Sequence, residues 1–391
     1  MEFKNEVINN ILPFWQKLID AEYGGFYGKT DFTGLPDKNA DKGCILNSRI
    51  LWTFSTAFRL FGSEAYKKCA DHAFDFLRKA FCDKENGGLH WIVDYKGKPV
   101  DSVKSIYNTA FAIYGLAEYY RAVKDDTALD LAMSFFDILE KYAHDPVAGG
   151  YIETKTHDWQ QSINSLLCDG KDIENDCKKT MNTNLHVLEA YTNLLLAAGD
   201  DRVHKALDNL ARLTLDKIIN KNWQFDLYFD INWNSLNRDI SYGHDIEGSW
   251  LLYDAAIALN DKDLIARTKL AAINIAQVVY ENGRDTENGG LFTERDSHGR
   301  LSNRKDWWSQ AEAVVGFYNA YELTNDKRFK TAAEEIWDYT QKYFIDKTNG
   351  EWHNELSLDN IVNTKMPKSG FWKCPYHNAR MCFEMINRLG I

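Results

Sequence analysis

The chain has 391 residues, of which 45% are hydrophobic and 26% charged, so it can bury a substantial core and is not a disordered protein. The excess of 57 acidic over 46 basic residues gives a formal net charge of −11, which repels nucleic-acid phosphates and anionic lipid surfaces. No apolar run is long enough to cross a bilayer, so we expect neither nucleic acid nor membrane as a partner.

The amino terminus predicts an amphipathic helix rather than a secretion signal. Ile8, Ile11, Leu12, Trp15 and Ile19 recur at helical spacing, and no basic segment precedes an apolar core. The 7 cysteines are scattered and include no C-x-x-C pair, which is typical of free thiols in a reducing compartment. The sequence therefore predicts a cytoplasmic protein.

A glycine-containing turn recurs along the chain at intervals of about 60 residues. The marker residues, which lie 63, 62, 140 and 60 positions apart, are Gly25, Gly88, Gly150, Gly290 and Gly350. The interval of 140 corresponds to two units with a degenerate turn near Trp223. The chain is therefore interpreted as six units.

Between the turns, apolar residues recur at the i, i+3 and i+4 spacing of helices. The predicted helices cover residues 63–80, 108–123, 129–142, 182–198, 245–259, 263–280, 310–323 and 329–343. A unit of two helices and a short turn, with room for a small hairpin, cannot bury its own apolar faces. We therefore predict an all-α, single-domain (α/α)6 barrel over residues 1–391, with an open solenoid as the alternative. No terminal unit resembles a polar cap, which favours closure.

Uncommon polar and aromatic residues stand near the start of one helix in each unit. They lie 58, 75, 62, 64 and 69 positions apart, and they are Arg49, Tyr107, Asn182, His244, Trp308 and His377. If these helices form the inner ring, their starts converge at one end of the barrel axis. The unpaired N–H groups and positive dipole ends there favour developing negative charge and neutral histidine. This pattern predicts a pocket at that end.

Three histidines share this phase and are predicted to be functional: His186, His244 and His377. Five others lie out of phase or among charges and are interpreted as packing residues, namely His72, His144, His157, His204 and His298.

Two H-x-x-E strings, His186 to Glu189 and His244 to Glu247, could in principle ligate a metal. No third clustered carboxylate or cysteine ligand set accompanies them, so we expect no metal. The sequence also lacks G-x-G-x-x-G and P-loop strings, and we expect no nucleotide or other cofactor.

Several segments together resemble the N-acylglucosamine 2-epimerase superfamily, and most of all its cellobiose 2-epimerase branch. The segments that carry the resemblance are residues 42–52, 179–186, 241–247, 307–317 and 372–382. The resemblance implies an (α/α)6 barrel with a central sugar cleft in a monomer or homodimer. It makes His377 and His244 an acid/base pair, with His186 assisting at the ring oxygen or carbonyl. The residues it implies for sugar binding are Arg49, Tyr107, Asn182, Glu247, Trp308, Glu312 and Trp372.

The implied reaction inverts C2 of the reducing-end sugar of a β-1,4-linked disaccharide. It requires ring opening, removal of the proton next to the aldehyde, and return of a proton to the opposite face of an enediolate. Histidine suits both steps because its ordinary pKa lies near neutrality.

Other functions use the same residues differently. Within the family, a mannose 2-epimerase or an aldose–ketose isomerase would need the same side chains. A glycoside hydrolase would use Glu247 and Glu312 as its carboxylate pair, and a non-catalytic sugar-binding protein would need only the tryptophans. Three histidines in phase favour the epimerase.

Overall fold

The computed structural model describes residues 2–161, 166–168, 173 and 176–391. Six inner helices surround one axis; each packs against the next, and the last packs against the first. They are α3 Cys44–Phe61, α5 Ile106–Val123, α7 Met181–Ala198, α9 Tyr242–Leu259, α11 Trp307–Thr324 and α13 Tyr376–Leu389. They are buried on nearly all sides, as expected for helices enclosed by a second layer.

An outer layer of helices covers the inner ring, each packing on the inner helix of its own unit. They are α4 Glu64–Phe76, α6 Asp126–Tyr142, α8 Asp201–Leu213, α10 Lys262–Asn282 and α12 Lys327–Tyr343. The sixth outer element is amino-terminal: α1 Glu2–Glu6, a π-helical turn Val7–Ile11 and α2 Leu12–Gln16 pack near α13. Helix α8 was not predicted, although its buried apolar residues recur at helical spacing: Val203, Ala206, Leu207, Leu210 and Ala211.

The amino terminus closes the ring by contacting the last glycine turn. Trp15 Nε1 donates to Glu351 Oε2 at 2.7 Å, and Trp352 Nε1 donates to Glu6 Oε1 at 2.8 Å. Both hydrogen bonds are buried. The structure thus confirms the closed barrel over the open solenoid.

In four units, the chain turns from the inner helix to the outer helix through the same two consecutive positions. The inner helix ends at a residue in the left-handed region, and the next residue is an aspartate whose carboxylate caps the outer helix. The pairs are Lys124–Asp125, Gly199–Asp200, Asn260–Asp261 and Asn325–Asp326. No linker residue is needed, so each unit stays a tight helical hairpin.

Short antiparallel strands join neighbouring units at the other end. They are β1 Lys42–Gly43, β2 Ile92–Val93, β3 Pro99–Asp101, β4 Lys104–Ser105, β5 Thr154–Lys155, β6 Lys179–Thr180, β7 Tyr228–Phe229, β8 Ile240–Ser241, β9 Glu294–Arg295, β10 Arg304–Asp306 and β11 Glu355–Ser357. The strand before each of five inner helices pairs with a strand of the following unit, in the order β1-β2-β3, β4-β5, β6-β7, β8-β9 and β10-β11. This pairing fixes where the inner helix starts.

A buried lysine contacts the glycine turn in five units; in four of them it belongs to a strand, and in the sixth unit it is Lys368, outside the strands. The lysine ammonium group contacts the first aspartate of the turn, whose carboxylate also accepts backbone N–H groups of the turn. The pairs are Lys42–Asp20, Lys104–Asp83, Lys179–Asp145, Lys305–Asp285 and Lys368–Asp346, at 2.6 to 2.7 Å. In the fourth unit, both partners are neutral, with Asn220 at the turn and Ile240 in β8.

The glycine at the tip of the turn is required for close packing as well as for its backbone conformation. Gly150 has a φ of +70°, and a Cβ atom there would lie 2.4 Å from the ring of Trp233. The Trp233 ring covers the turn and donates from Nε1 to the carbonyl oxygens of Ala148 and Gly149, both at 3.1 Å. The turns therefore lock each unit to the next.

One expectation about the cysteines is wrong. Cys168 and Cys177 form a disulfide, because the structure brings their Cα atoms to 6.8 Å although they are nine residues apart. The other five cysteines are free. Among the described residues, no helix combines the length and apolar composition needed to span a bilayer.

The neutral fourth unit suggests a stability test. We expect Asp83→Asn to destabilise the protein by about 3–5 kcal/mol, because it leaves the buried Lys104 ammonium without its counter-charge. Adding Lys104→Ile, which copies the pairing of Asn220 with Ile240, should recover most of that loss. Urea unfolding followed by circular dichroism measures both variants. A double variant no more stable than Asp83→Asn would contradict this account.

Candidate active site

A cavity of about 630 Å³ opens at the end of the axis where the inner helices begin. Its volume lies within the range of small-molecule sites, about 300–1,000 Å³. The predicted residues that line it are Arg49, Tyr107, Asn182, His186, His244, Glu247, Trp308, Trp372 and His377. A larger groove of about 860 Å³ lies on the outside between α6 and α8, away from these histidines. The grouping of side chains favours the axial cavity as the site.

Equivalent positions of the repeat supply residues of the cavity wall and residues behind it. One position lies seven residues after Lys42, Lys104, Lys179, Ile240, Lys305 and Lys373. Arg49, His186 and Glu247 occupy it and line the cavity, whereas Phe111, Glu312 and Arg380 occupy it without lining the cavity. Helix geometry stacks this level about one turn below the residues that begin each helix. The same interval, counted from Lys373, identifies Arg380, which the sequence analysis did not single out.

Each of the three histidines is held through its Nδ1 atom. The contacts are His377 to Glu312 Oε1 at 2.7 Å, His186 to Glu189 Oε2 at 2.9 Å, and His244 to Ser241 Oγ at 2.7 Å. No described residue bonds their Nε2 atoms. A fixed Nδ1 orients the ring and leaves Nε2 to act on a ligand.

Arg380 is the centre of a buried charge cluster behind the cavity. Its guanidinium contacts the carboxylates of Glu189 and Glu247 and lies 2.7 Å from Glu312 Oε1. Tyr376 Oη donates to Glu189 at 2.5 to 2.6 Å. Burying ionised carboxylates without a counter-charge costs free energy, and the positive charge of Arg380 offsets that cost.

The carboxyl groups of this cluster differ in acidity. Burial opposes ionisation of Glu189, but Arg380 and His186 outweigh it and hold the pKa near 2. Burial raises the pKa of Glu247 to about 7, and the charge of Glu312 adds to the rise. Burial also raises the pKa of Glu312 to about 7, against the effect of Arg380. Two of the carboxyl groups therefore titrate near neutral pH.

Burial keeps His244 and His377 uncharged. It lowers the pKa of His244 to about 3, and it lowers that of His377 well below its ordinary value, with Arg380 and Arg49 adding to the effect. A neutral imidazole has one N–H and one lone pair. For His377, an N–H directed at ionised Glu312 leaves the lone pair on Nε2, so this ring is prepared to accept a proton.

The cavity contains polar atoms that lack partners among the described residues. They are Arg49 Nε, Asn182 Oδ1 and Glu247 Oε2. Arg49 is fixed by a 2.7 Å hydrogen bond to Tyr107 Oη and lies 4.0 Å from the ring centroid of Phe111. Buried polar groups without partners are costly, which favours a ligand rich in hydroxyl groups.

Tryptophans supply flat apolar surfaces inside the cavity and at its mouth. The Trp308 ring lies 4.7 Å from that of His244 and 5.5 Å from that of His377. Trp372 is 47% exposed at the mouth. These surfaces suit the apolar faces of two sugar rings.

Glu312, expected among the sugar-binding residues, does not line the cavity. It is 1% exposed and lies behind His377, where it also accepts from Trp250 Nε1 at 3.3 Å. With Glu247 and His377 it forms a group close enough to ligate a cation. Arg380 already contacts both carboxylates, and its positive charge disfavours a metal ion there.

Comparisons with known proteins identify the family and agree with the fold. Residues 25–380 match the family model of N-acylglucosamine 2-epimerase (GlcNAc 2-epimerase). The chain is 41% identical to a cellobiose 2-epimerase of Bacteroides fragilis over 98% of each chain. The solved cellobiose 2-epimerase of Bacillus thermoamylovorans B4167 superposes with a TM-score of 0.93 at 41% identity, covering 99% of this chain and 98% of that one. A sugar epimerase from a ruminal bacterium gives 0.95 at 38% identity, with the same coverage. The chain therefore belongs to the N-acylglucosamine 2-epimerase family.

Proposed function

We propose that this protein is an isomerase that inverts C2 of the reducing-end sugar in β-1,4-linked disaccharides such as cellobiose. The observation that carries the proposal is the pair of neutral histidines, His244 and His377, which line one cavity and lie 4.7 and 5.5 Å from the Trp308 ring. The relatives at about 40% identity, named cellobiose 2-epimerases, support the substrate class.

The reaction moves only protons. His186, backed by Glu189, assists opening of the sugar ring at the ring oxygen. Either His244 or His377 then removes the C2 proton, and the electron pair moves onto the aldehyde oxygen to form an enediolate. The Arg49 guanidinium stabilises that oxygen, and a single donor of this kind contributes about 3 kcal/mol. No electron acceptor or other cofactor is required.

The partners of the two histidines are chemically different. Protonated His377 is stabilised by Glu312 at 2.7 Å, whereas the hydroxyl of Ser241 offers His244 no opposite charge. Both rings start neutral, so the ring that returns a proton to C2 must first acquire one. A proton from solvent therefore enters C2 as the product forms.

Competing functions fit the geometry less well. A glycoside hydrolase needs two carboxyl groups flanking the substrate, but only Glu247 of the predicted pair lines the cavity. A monosaccharide isomerase would use the same inner residues, yet it would leave Trp372 at the mouth without a role. The cytoplasmic location and the monomeric or homodimeric state stay predictions.

The first test is proton NMR of the protein with cellobiose in D2O. We expect the glucosyl-mannose product to appear with deuterium at C2, and we expect both His377→Ala and His244→Ala to abolish product formation and exchange. Exchange of mannose or glucose with cellobiose untouched would favour a monosaccharide enzyme. Hydrolysis of cellobiose would contradict the proposal.

Replacing the carboxylate behind His377 should affect turnover more than binding. Glu312→Gln keeps a hydrogen bond to Nδ1 but cannot stabilise the imidazolium, so kcat should fall by about 10²- to 10⁴-fold with little change in KM. Wild-type kcat should itself fall as the pH drops below about 7, because Glu312 becomes protonated. Initial rates at pH 5.5 to 8.5 measure both effects.

A matched control for Glu312→Gln is Glu322→Gln, because Glu322 lies on the same helix, is half-exposed and pairs with Arg388 away from the cavity. It should leave kcat and its pH dependence unchanged. Equal losses in the two variants would show that the effect is not specific to His377.

Trp372 should matter for the second sugar unit. We expect Trp372→Ala to raise KM for cellobiose by up to about tenfold through the lost stacking, while a monosaccharide, if turned over at all, is unaffected. Trp308→Ala, which removes the ring that lies near both His244 and His377, should impair both substrates. Steady-state kinetics with cellobiose and with a monosaccharide measures these effects. An equal rise in KM of Trp372→Ala for both sugars would exclude a specific role of Trp372 in binding the second sugar unit.

A further inference from the structure

The glycine turns are tied to the inner helices by one recurring side chain. It lies five residues after Lys42, Lys179, Lys305 and Lys373, where it is an amide: Asn47, Asn184, Gln310 and Asn378. Asn378 donates to Glu351 Oε1 at 2.6 Å, whereas the other three amides share one pattern. The oxygen of each of these three accepts the backbone N–H of the turn, from Phe26, Tyr151 and Leu291, at 2.7 to 3.3 Å. The NH₂ group of each donates to the carbonyl oxygen four residues earlier, in Gly43, Thr180 and Asp306, at 2.9 to 3.1 Å. The position therefore requires an acceptor and a donor.

In the fourth unit, the same position is an aspartate. Asp245 is fully buried, and its Oδ1 atom accepts the backbone N–H of Phe225 at 2.8 Å, as the amides do for their own turns. Its Oδ2 atom stands where the other units have a donor, and it has no hydrogen-bond partner among the described residues. The corresponding carbonyl four residues earlier belongs to Ser241. An ionised carboxylate would place two acceptors against each other at this point.

We propose that Asp245 is a neutral carboxylic acid that donates a hydrogen bond from Oδ2 to the Ser241 carbonyl oxygen, and is thereby a positioning residue for His244. Ser241 is the link, because its hydroxyl contacts His244 Nδ1 at 2.7 Å. The role for His244 rests on the proposed epimerase function, whereas the protonation of Asp245 does not.

The electrostatic surroundings agree with a neutral group. Burial raises the pKa of Asp245 to about 8, against the hydrogen bonds of the Phe225 backbone and the Gln224 side chain, and the nearby Asp226 carboxylate on the turn adds to the rise. No ion pair or charged donor from α7, α8, α10 or α11 reaches its carboxyl group in the described part of the chain. This is also the unit in which Asn220 and Ile240 replace the buried lysine–aspartate pair.

The protonated Asp245 should stabilise the folded protein less as the pH rises. The folded protein keeps the Asp245 proton, whereas the unfolded chain releases it near the ordinary pKa of about 4. From that pH up to about 8, the unfolding equilibrium constant of the wild type should rise about tenfold per pH unit relative to Asp245→Asn. Above about pH 8 the ratio should level off, since both states are then ionised.

Urea unfolding of wild type and Asp245→Asn between pH 5 and 9 measures this ratio. The reciprocal variant Asn184→Asp is the matched control, and it should acquire the same pH dependence that Asp245→Asn loses. Infrared difference spectra of the two folded proteins at pH 6.5 provide a second measurement, in which the wild type should show a protonated-carboxyl C=O band that the asparagine variant lacks. A pH-independent ratio together with no such band would overturn the proposal.

Deuterium exchange into cellobiose tests the positioning role separately. Asp245→Asn should retain the exchange rate within about twofold and keep it above pH 8, where the wild type declines, because an amide still donates to Ser241. Asp245→Leu, similar in size but without a donor, should lose exchange at every pH. Equal losses in both variants would overturn the positioning role. If the wild type itself shows no exchange, the epimerase proposal fails, while the unfolding and infrared comparisons still decide the protonation of Asp245.

Discussion

The candidate site depends on the ion pairs of one buried guanidinium. Arg380 contacts three carboxyl groups on three other inner helices, and these groups hold or adjoin the histidines. Without it, Glu189 could not remain ionised in a water-excluded interior, and His186 would lose its anchor. The contacts come from helices far apart in sequence, so closing the barrel and assembling the site are one event.

Burial also determines the chemical state of the reactive groups. The same exclusion of water that makes Arg380 necessary keeps His244 and His377 neutral and moves two carboxyl groups into the neutral pH range. A neutral histidine backed by a carboxylate and a neutral histidine backed by a hydroxyl are not equivalent. The repeat thus places two identical residues at equivalent depths and gives them different partners.

The repeat explains why function could be built without disturbing the fold. Turn, strand and capping residues recur in several units and carry stability, whereas the cavity residues, which stand three, four and seven residues after the strand position, differ from unit to unit. The fourth unit departs furthest: it has a neutral Asn220 and Ile240 in place of the buried ion pair, and it carries Asp245 beside His244. In that unit, residues that hold the turn and the helix start also adjoin a proposed catalytic histidine.

The sequence by itself determined the six units, the helical class, the closed ring and nine of the cavity residues. These are local or periodic properties, since a turn needs its glycine and an inner helix keeps its phase. It missed α8, although the apolar residues of that helix recur at helical spacing, and it missed the disulfide, whose spacing has no signature. Only the tertiary structure decided that Glu312 lies behind His377 and that Arg380 joins three carboxylates. Those facts depend on distances between different helices, and the period of one helix carries no information about them.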